Sequence, residues 1–260
     1  MIPISADVIP QFVTIVMMIS LRVLGVLIAA PMFGFRPMPM RLRVLLALVI
    51  GISIAPLIKP DANQLMGTTI TFIAAATELA LGLMAGYLIR IGLMAFDVIA
   101  EVLSMLAGFS FAATVGRDPI LAPSLVGEFL QLTAIALAFA LNIHLVLLDI
   151  LLDSFRLLPF GTWPEAWDAK GLTLLVVKAF AFGMVLSMPS IIVYLIFNVI
   201  QALLGRTSPQ LNLFSVGFTV SVPIAFLLLM IFLPDMPGIV IKVLEGPMGL
   251  VRKGLNPGLN

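Results

Sequence analysis

The sequence contains no cysteine and a single histidine, His144. Without a thiol it can form neither a disulfide nor a thiolate metal site, and it has no cysteine nucleophile. One histidine also argues against a histidine-based metal centre or catalytic triad, so we favour a packed role for His144 over a proton relay. No phosphate-binding loop or pair of catalytic carboxylates appears either. The sequence therefore predicts no enzyme, no catalytic residues, no cofactor and no metal site.

Charged residues are also scarce. Only 10% of the 260 residues are Asp, Glu, Lys or Arg, whereas a soluble domain carries about a quarter. The net charge of +1 argues against a large basic surface, and hence against nucleic acid as a partner. Hydrophobic residues make up 62% of the chain. Long apolar runs between polar or proline-containing breaks predict an all-α, polytopic membrane protein of long, kinked helical hairpins.

The first apolar run covers residues 8–30 and is long enough to cross a bilayer as a helix. Asp7 precedes it and no Lys or Arg does, which is unlike a cleaved signal peptide, so we predict a retained helix. Arg22 interrupts the run, and a charged side chain at that depth faces protein or water rather than lipid. Three arginines lie around the following turn, and the positive-inside rule therefore places that turn in the cytoplasm.

A block without proline follows at residues 66–107. As one helix it would be about 60 Å long, roughly twice a bilayer core, so it either bends into two passes or extends well beyond the membrane. Small and charged residues lie along nearly one side of it, namely Glu78, Gly82, Gly86, Arg90, Asp97 and Glu101. The Gly-xxx-Gly pair lets another backbone approach closely. This face predicts protein neighbours, either helices of the same chain or other subunits.

The apolar periodicity stops at residues 108–119, where glycines, hydroxyl side chains and a proline break the helix. Phe109 and Phe111 nevertheless keep this segment apolar. Its backbone N–H and C=O groups would lack partners in lipid, so we expect it to pack in protein or line an aqueous cavity. Two interpretations remain open on these grounds: a simple connector between helices, or a re-entrant loop that fills or closes an opening.

Three more apolar blocks complete the chain, at residues 121–155, 172–204 and 219–233. The loop at 158–169 carries Trp163 and Trp167, which suit the headgroup interface, where an indole ring is buried while its N–H stays wet. A second break, at residues 205–218, precedes the last block. The tail from residue 239 mixes apolar and charged residues and predicts an amphipathic helix on a surface or a partner.

Three motifs stand out in order along the chain: GFSFAATVGRDP at 108–119, ALNIHLVLLDILLDSFRLLP at 140–159 and RTSPQLNLFSVGF at 206–218. In sequence and spacing they resemble the FliR/SctT family of export-gate proteins of bacterial type III secretion. The third motif is the most specific. The resemblance covers essentially the whole chain and is closer to the flagellar branch of the family than to the injectisome branch.

The resemblance implies a single domain over residues 1–260, with a FliP-like part at 1–205 fused to a FliQ-like C-terminal hairpin at 206–260. It also implies a core subunit of the flagellar export gate. With FliP and FliQ, and in association with FlhB and FlhA, this gate would pass unfolded flagellar proteins across the bacterial inner membrane at the basal body. Energy would come from an export ATPase and the proton motive force.

Residue roles follow from the same resemblance. The segment at 108–119 corresponds to the plug of the closed channel, formed here by Gly108, Phe109, Ser110, Phe111, Ala112 and Gly116. The long charged helix and the third motif correspond to subunit contacts, carried by Glu78, Gly82, Gly86, Arg90, Asp97, Glu101, Arg206, Pro209, Gln210, Asn212 and Phe214. Gly108 and Gly116 would act as hinges of the plug.

Three alternatives are kept beside this interpretation. The chain could serve the export gate of a virulence injectisome. It could be a stand-alone proton-coupled transporter that uses the charges at 78–101, in which case the purified single protein would be active. It could also be a purely structural scaffold, in which case changes at 108–119 would leave ion leakage unaltered.

Overall fold

A computed structural model of the chain describes residues 8–32, 38–58, 72–108, 125–164, 167, 169–207 and 213–255. Within these ranges every regular element is helical, which confirms the all-α prediction. The described residues form eight α-helices: α1 (Val8–Ala29), α2 (Met40–Ile54), α3 (Phe72–Ala107), α4 (Leu125–Ala140), α5 (Ile143–Leu157), α6 (Ala169–Thr207), α7 (Leu213–Phe232) and α8 (Met236–Leu255). Short 3-10 turns at Ala55–Leu57 and Leu233–Asp235 extend α2 and join α7 to α8.

Five helical stretches of the described chain are long and apolar enough to cross a membrane, or six if the bent pair α4 and α5 counts as one. The polytopic membrane prediction is therefore confirmed. Two helices are much longer than one span. α3 has 36 residues and α6 has 39, which correspond to about 54 Å and 58 Å at 1.5 Å per residue. The described part of the block at 66–107 does not bend into two helices, because α3 runs unbroken from Phe72 to Ala107.

The apolar block at 121–155 is not one helix. The chain breaks between α4 and α5, where Asn142 adopts the left-handed conformation with φ of +57°. Asparagine tolerates this conformation better than other residues with a side chain. The carbonyl of Asn142 then accepts from the N–H groups of Leu145 and Val146, which starts α5. The apolar pattern on both sides hid this break from the sequence analysis.

Backbone contacts divide the chain into two compact units. The first consists of Met1–Ile91, Asn142–Leu174 and Glu245–Asn260. The second consists of Gly92–Leu141 and Leu175–Leu244. These units reflect contact density, whereas the predicted division at 205/206 concerns a resemblance to two other proteins, so that division stays a prediction.

In the first unit, α1 packs against both α2 and α3, and the side chains of Ile19 and Val23 in α1 are almost completely buried. The irregular segment after α5 returns to the C-terminal helix, where the Trp167 indole N–H donates to the Leu250 carbonyl at 3.2 Å. A Cβ atom at Gly254 would collide with that ring. The headgroup prediction is therefore wrong for Trp167, which is buried with its N–H bonded inside the protein, whereas Trp163 is 45% exposed.

In the second unit, α6 packs against α3 at Gly183, where an added Cβ atom would meet the Ala95 carbonyl and Val98. Phe96, Leu103 and Tyr194 are among its buried side chains. Much of α6 is nevertheless exposed, because only 17% of its apolar, membrane-spanning stretch is buried. An apolar surface of this extent has to be covered by lipid or by another protein.

Candidate functional site

The most completely built polar site lies in the first unit, around Arg22 of α1 and Glu78 of α3. The Arg22 Nε–H donates to Glu78 Oε2 at 2.6 Å, and Arg22 Nη2 donates to Glu78 Oε1 at 3.0 Å. Both side chains are completely inaccessible to solvent. This is a bidentate, charge-assisted pair, the strong form of an arginine–carboxylate interaction. The sequence analysis expected Arg22 to face protein or water, and the structure places it in protein.

Two further segments of the first unit converge on this pair. Arg22 Nη1 donates to Ser154 Oγ of α5 at 2.9 Å, and the guanidinium carbon lies 4.5 Å from the centre of the Phe155 ring, a cation–π geometry. The backbone N–H of Gly161 donates to Glu78 Oε1 at 2.8 Å. Gly161 lies in the turn after α5 with φ of +79°, a conformation that favours glycine. We call Arg22, Glu78, Ser154, Phe155 and Gly161 the buried charge cluster.

The hydrogen bonds of the buried charge cluster define what it can do. Both Glu78 oxygens accept bonds from protein groups, and neither is exposed. The geometry therefore gives the Glu78 carboxylate a structural role within this chain. What the cluster does is join α1, α3, α5 and the following turn. Leaving either charge alone in this place would be costly.

The same face of α3 lies against the backbone of α1. Gly82 faces the Arg22 carbonyl, Gly86 faces Ala29 and Ala30, and Gly25 of α1 faces Leu79, Gly82 and Leu83 of α3. At each of these glycines an added Cβ atom would come within 3.0 Å of backbone. The Gly-xxx-Gly pair thus serves packing within this chain, which was one of the two possibilities that the sequence left open.

We expect Gly82→Ala to destabilise the first unit by about 2 kcal/mol or more, because helix backbone cannot move aside as a flexible side chain can. The measurement is the free energy of unfolding of the purified chain in detergent. Gly249→Ala is the matched control, since nothing lies within 4 Å of its added Cβ atom and alanine favours a helix over glycine by about 1 kcal/mol. If both substitutions left stability unchanged or raised it, the proposed close contact between α1 and α3 would be wrong.

The other predicted contact residues belong neither to the buried charge cluster nor to the glycine face of α3. Arg90, Asp97 and Glu101 are exposed along α3, and Arg206 is exposed near the end of α6. Within the described chain, Arg90 and Glu101 form no ion pair. Three of the others, Pro209, Gln210 and Asn212, lie outside the described residues, as does the side chain of Phe214. Contact with other subunits stays a prediction for all of them.

Of the predicted plug residues, only Gly108 is described. Its φ of +82° places it in the left-handed region directly after α3, as expected for a glycine that ends a helix. The remaining predicted plug residues, Phe109, Ser110, Phe111, Ala112 and Gly116, lie outside the described residues. The sequence analysis missed Ser154, Phe155 and Gly161 as partners of Arg22. Only the charged members of the cluster, Arg22 and Glu78, carried a signal, each as a charge in an apolar run.

Comparison with known proteins identifies the family to which this architecture belongs. Residues 13–246 match the family described as bacterial export proteins, family 1. The chain belongs to this family. The match includes the buried charge cluster, all of α3 and about the first half of the C-terminal helix, α8.

Curated relatives of this bacterial export protein carry the name flagellar biosynthetic protein FliR. The one from Escherichia coli strain K12 is 28% identical over 215 residues, 82% of this chain and 82% of the relative. The one from Caulobacter vibrioides is 27% identical over 210 residues, 80% of this chain and 84% of the relative. The one from Buchnera aphidicola subsp. Acyrthosiphon pisum is 25% identical over 226 residues, 86% of this chain and 87% of the relative. The resemblance to the FliR family is thus confirmed over most of the chain.

Proposed function

We propose that this protein is a core subunit of the flagellar type III export gate, which forms with FliP-like and FliQ-like subunits a channel for unfolded flagellar proteins across the inner membrane. The family match over residues 13–246 is the observation that carries the proposal. The chain is a multi-pass membrane component of the flagellar export apparatus. FlhB-like and FlhA-like proteins are the further partners that we propose. The relatives named above are all flagellar, which favours this system over an injectisome.

The two longest helices support an assembly with other subunits. A bilayer core is about 30 Å thick, so lipid cannot cover the full length of α3 or α6. α3 also exposes Arg90 and Glu101, side chains that are unfavourable against hydrocarbon. Neighbouring subunits can instead supply side chains of opposite charge and leave room for water around Arg90 and Glu101. α3 and α6 are therefore the helices that we propose to pack against other subunits.

α6 and α3 also frame an apolar groove in the second unit, of about 350 Å³. Its lining comprises Leu106, Ile191, Leu195, Asn198, Val199 and Ala202. Leu195 is 61% exposed and Val199 is 54% exposed. A groove with one amide among apolar side chains suits an apolar helix of another subunit that carries a hydrogen-bonding group.

The proposed route for substrate is closed by the segment at 108–119. Its phenylalanines would fill the channel, while its glycines would allow the backbone to change conformation when the gate opens. This assignment rests on the family resemblance. Within the proposal this subunit contributes a conduit and a closure, while ATP hydrolysis and the proton motive force act through other components.

The test of the proposed function uses a flagellated bacterium that lacks its own FliR-like gene. Expression of this chain with affinity-tagged FliP-like and FliQ-like partners is expected to yield a co-purifying complex and to restore secretion of a flagellar substrate. Solute transport by the purified chain alone, together with no association with these partners, would contradict the proposal and favour the stand-alone transporter.

Charge reversal at the exposed row of α3 provides a sharper form of this test. We expect Arg90→Glu to reduce co-purification of the partner subunits about tenfold, because an arginine–carboxylate contact at an interface is replaced by a repulsive pair. The matched control is Lys170→Glu, since Lys170 is an exposed cation at the start of α6, outside the predicted contacts. Equal losses in both variants would show that general charge, rather than a contact at Arg90, governs assembly.

A further inference from the structure

Helix α2 packs against α1 but is much less covered by protein. Only 22% of its apolar stretch is buried, compared with 50% for α1. Its buried side consists of Ala47, Gly51 and Ile54. Another side carries Arg41, Leu45, Leu48 and Ile52, which follow one another at spacings of four, three and four residues and are all exposed. α2 therefore presents an apolar stripe, formed by Leu45, Leu48 and Ile52, that begins at an arginine.

The start of α2 is cationic and has no acidic neighbour in the sequence. Arg41 is exposed and Arg43 is partly buried. No Asp or Glu occurs between residues 8 and 60. Within the described chain neither of these arginines forms an ion pair, whereas Arg22 of α1 is paired with Glu78. The start of α2 therefore carries positive charge that the surrounding sequence does not balance.

The stability of α2 itself does not account for these arginines. Cations near the N-terminus of a helix are opposed by the helix dipole, and the N-cap residue, Pro39, makes no side-chain hydrogen bond that would cap the helix. The Nε atom of Arg43 is buried and has no hydrogen-bond partner among the residues that the structure describes. Proteins rarely leave a buried polar group in this state. An anion from outside the chain would provide the arginines with a partner.

The apolar stripe has the length of one leaflet of a bilayer. Arg41 and Ile52 are eleven residues apart, which is about 16 Å along a helix at 1.5 Å per residue. Half of a hydrocarbon core of about 30 Å is about 15 Å. With Arg41 at the level of the lipid phosphates, Ile52 would thus lie close to the bilayer midplane. A phospholipid combines the two properties that match this side of α2, namely an anionic headgroup and an apolar chain.

We propose that this side of α2 binds an anionic phospholipid, with the phosphate held by Arg41 and Arg43 and an acyl chain along the apolar stripe. Arginine suits this role because its planar guanidinium group can donate two parallel hydrogen bonds to phosphate oxygens. An acidic segment of a partner protein would satisfy the arginines but has no counterpart to the apolar stripe, so a lipid is the better match. The inference is independent of the proposed function, since it requires only a multi-pass membrane protein.

The experiment titrates the purified full chain in detergent with phosphatidylglycerol and counts the bound lipids by native mass spectrometry. Phosphatidylcholine, which has no net charge, is titrated in parallel. The variants are Arg41→Gln, Arg43→Gln, their combination, and Arg41→Lys, which retains the charge. Lys170→Gln is the matched control, because Lys170 is likewise an exposed cation at the second position of a long apolar helix, whereas Glu165 and Asp168 lie within five residues of it.

We expect phosphatidylglycerol to bind more tightly than phosphatidylcholine. Each glutamine variant should weaken phosphatidylglycerol binding about fivefold, and the double variant about twenty-five-fold, since one cation near an anionic lipid contributes an effect of that size. The affinity for phosphatidylcholine should hardly change. Arg41→Lys and Lys170→Gln should both stay within about twofold of the unaltered protein. Arg41→Gln decides the test if Arg43→Gln does not fold, because the Arg41 side chain is exposed.

Three results would overturn the inference. Equal weakening by Lys170→Gln would show that any exposed cation attracts the lipid. Displacement of phosphatidylglycerol by millimolar inorganic phosphate would indicate a site for free anions rather than for a lipid. Unchanged phosphatidylglycerol binding in Arg41→Gln would show that the arginine does not hold the headgroup, and if this variant also failed to co-purify with partner subunits, the arginine would belong to a protein contact.

Discussion

Glu78→Gln is expected to lower the free energy of unfolding by about 3–5 kcal/mol, because it leaves the Arg22 guanidinium charged, buried and without a counter-ion. Arg22→Met should have an effect of similar size through the uncompensated Glu78 carboxylate. Both side chains are completely inaccessible, so water cannot solvate the remaining charge. A loss of this size is a large part of the stability of a domain, and most of the variant chain should be degraded before assembly. The measurements are unfolding of the purified chain in detergent and its amount in the membrane.

The double variant Arg22→Met with Glu78→Met separates the contribution of the ion pair from the cost of leaving one of its charges unpaired. Removing both charges leaves no unpaired charge in the buried site. We therefore expect the double variant to recover most of the stability that each single variant loses. Recovery should be incomplete, because the Gly161 N–H loses the carboxylate that it donates to. Arg156→Met is the matched control: its contact with Asp153 is 3.9 Å long and exposed, and such pairs contribute at most about 1 kcal/mol. If Glu78→Gln cost no more than Arg156→Met, the buried charge cluster would not be the structural centre of the first unit.

Deletion of residues 110–116 is expected to make membranes permeable to small ions, but only in cells that also express the FliP-like and FliQ-like partners. The reason is that a plug matters only where a complete channel surrounds it. Permeability is measured together with secretion of a flagellar substrate. Because the natural chain has no cysteine, a single cysteine introduced at Ala112 can report in the same cells whether this position is reachable by a thiol reagent.

A length-matched replacement of residues 110–116 by glycine and serine controls for the shortened connection between helices. It should also leak, since the predicted plug contacts depend on the native side chains. Leakage without the partner subunits would indicate damage to this protein alone. Intact impermeability with normal secretion would make the segment a connector, and the closure would have to lie in a partner subunit.

Much of the fold could be predicted because helix formation in an apolar chain is governed by local sequence. The length of the block at 66–107 and its lack of proline predicted a helix too long for one span, and α3 is that helix. The break at Asn142 could not be foreseen, because an apolar pattern continues on both sides and the left-handed conformation leaves little trace in sequence. Trp167 shows the same limitation. Tryptophan as a residue type suggests the headgroup interface, whereas the indole N–H of Trp167 donates to the Leu250 carbonyl.

The same distinction between local sequence and tertiary structure applies to the candidate site. By itself, the sequence established a helical membrane protein, a charge at Arg22 that lipid would not accommodate, and a face of α3 suited to close packing, since each depends on residue type and periodicity alone. Only the tertiary structure decided that Arg22 pairs with Glu78, 56 positions away, and with Ser154, 132 positions away. It also decided that the Ser221 hydroxyl of α7 donates to the Ala107 carbonyl at the end of α3 rather than within its own helix. Such pairings depend on which helices are neighbours and how each is rotated about its axis, and no local pattern specifies either.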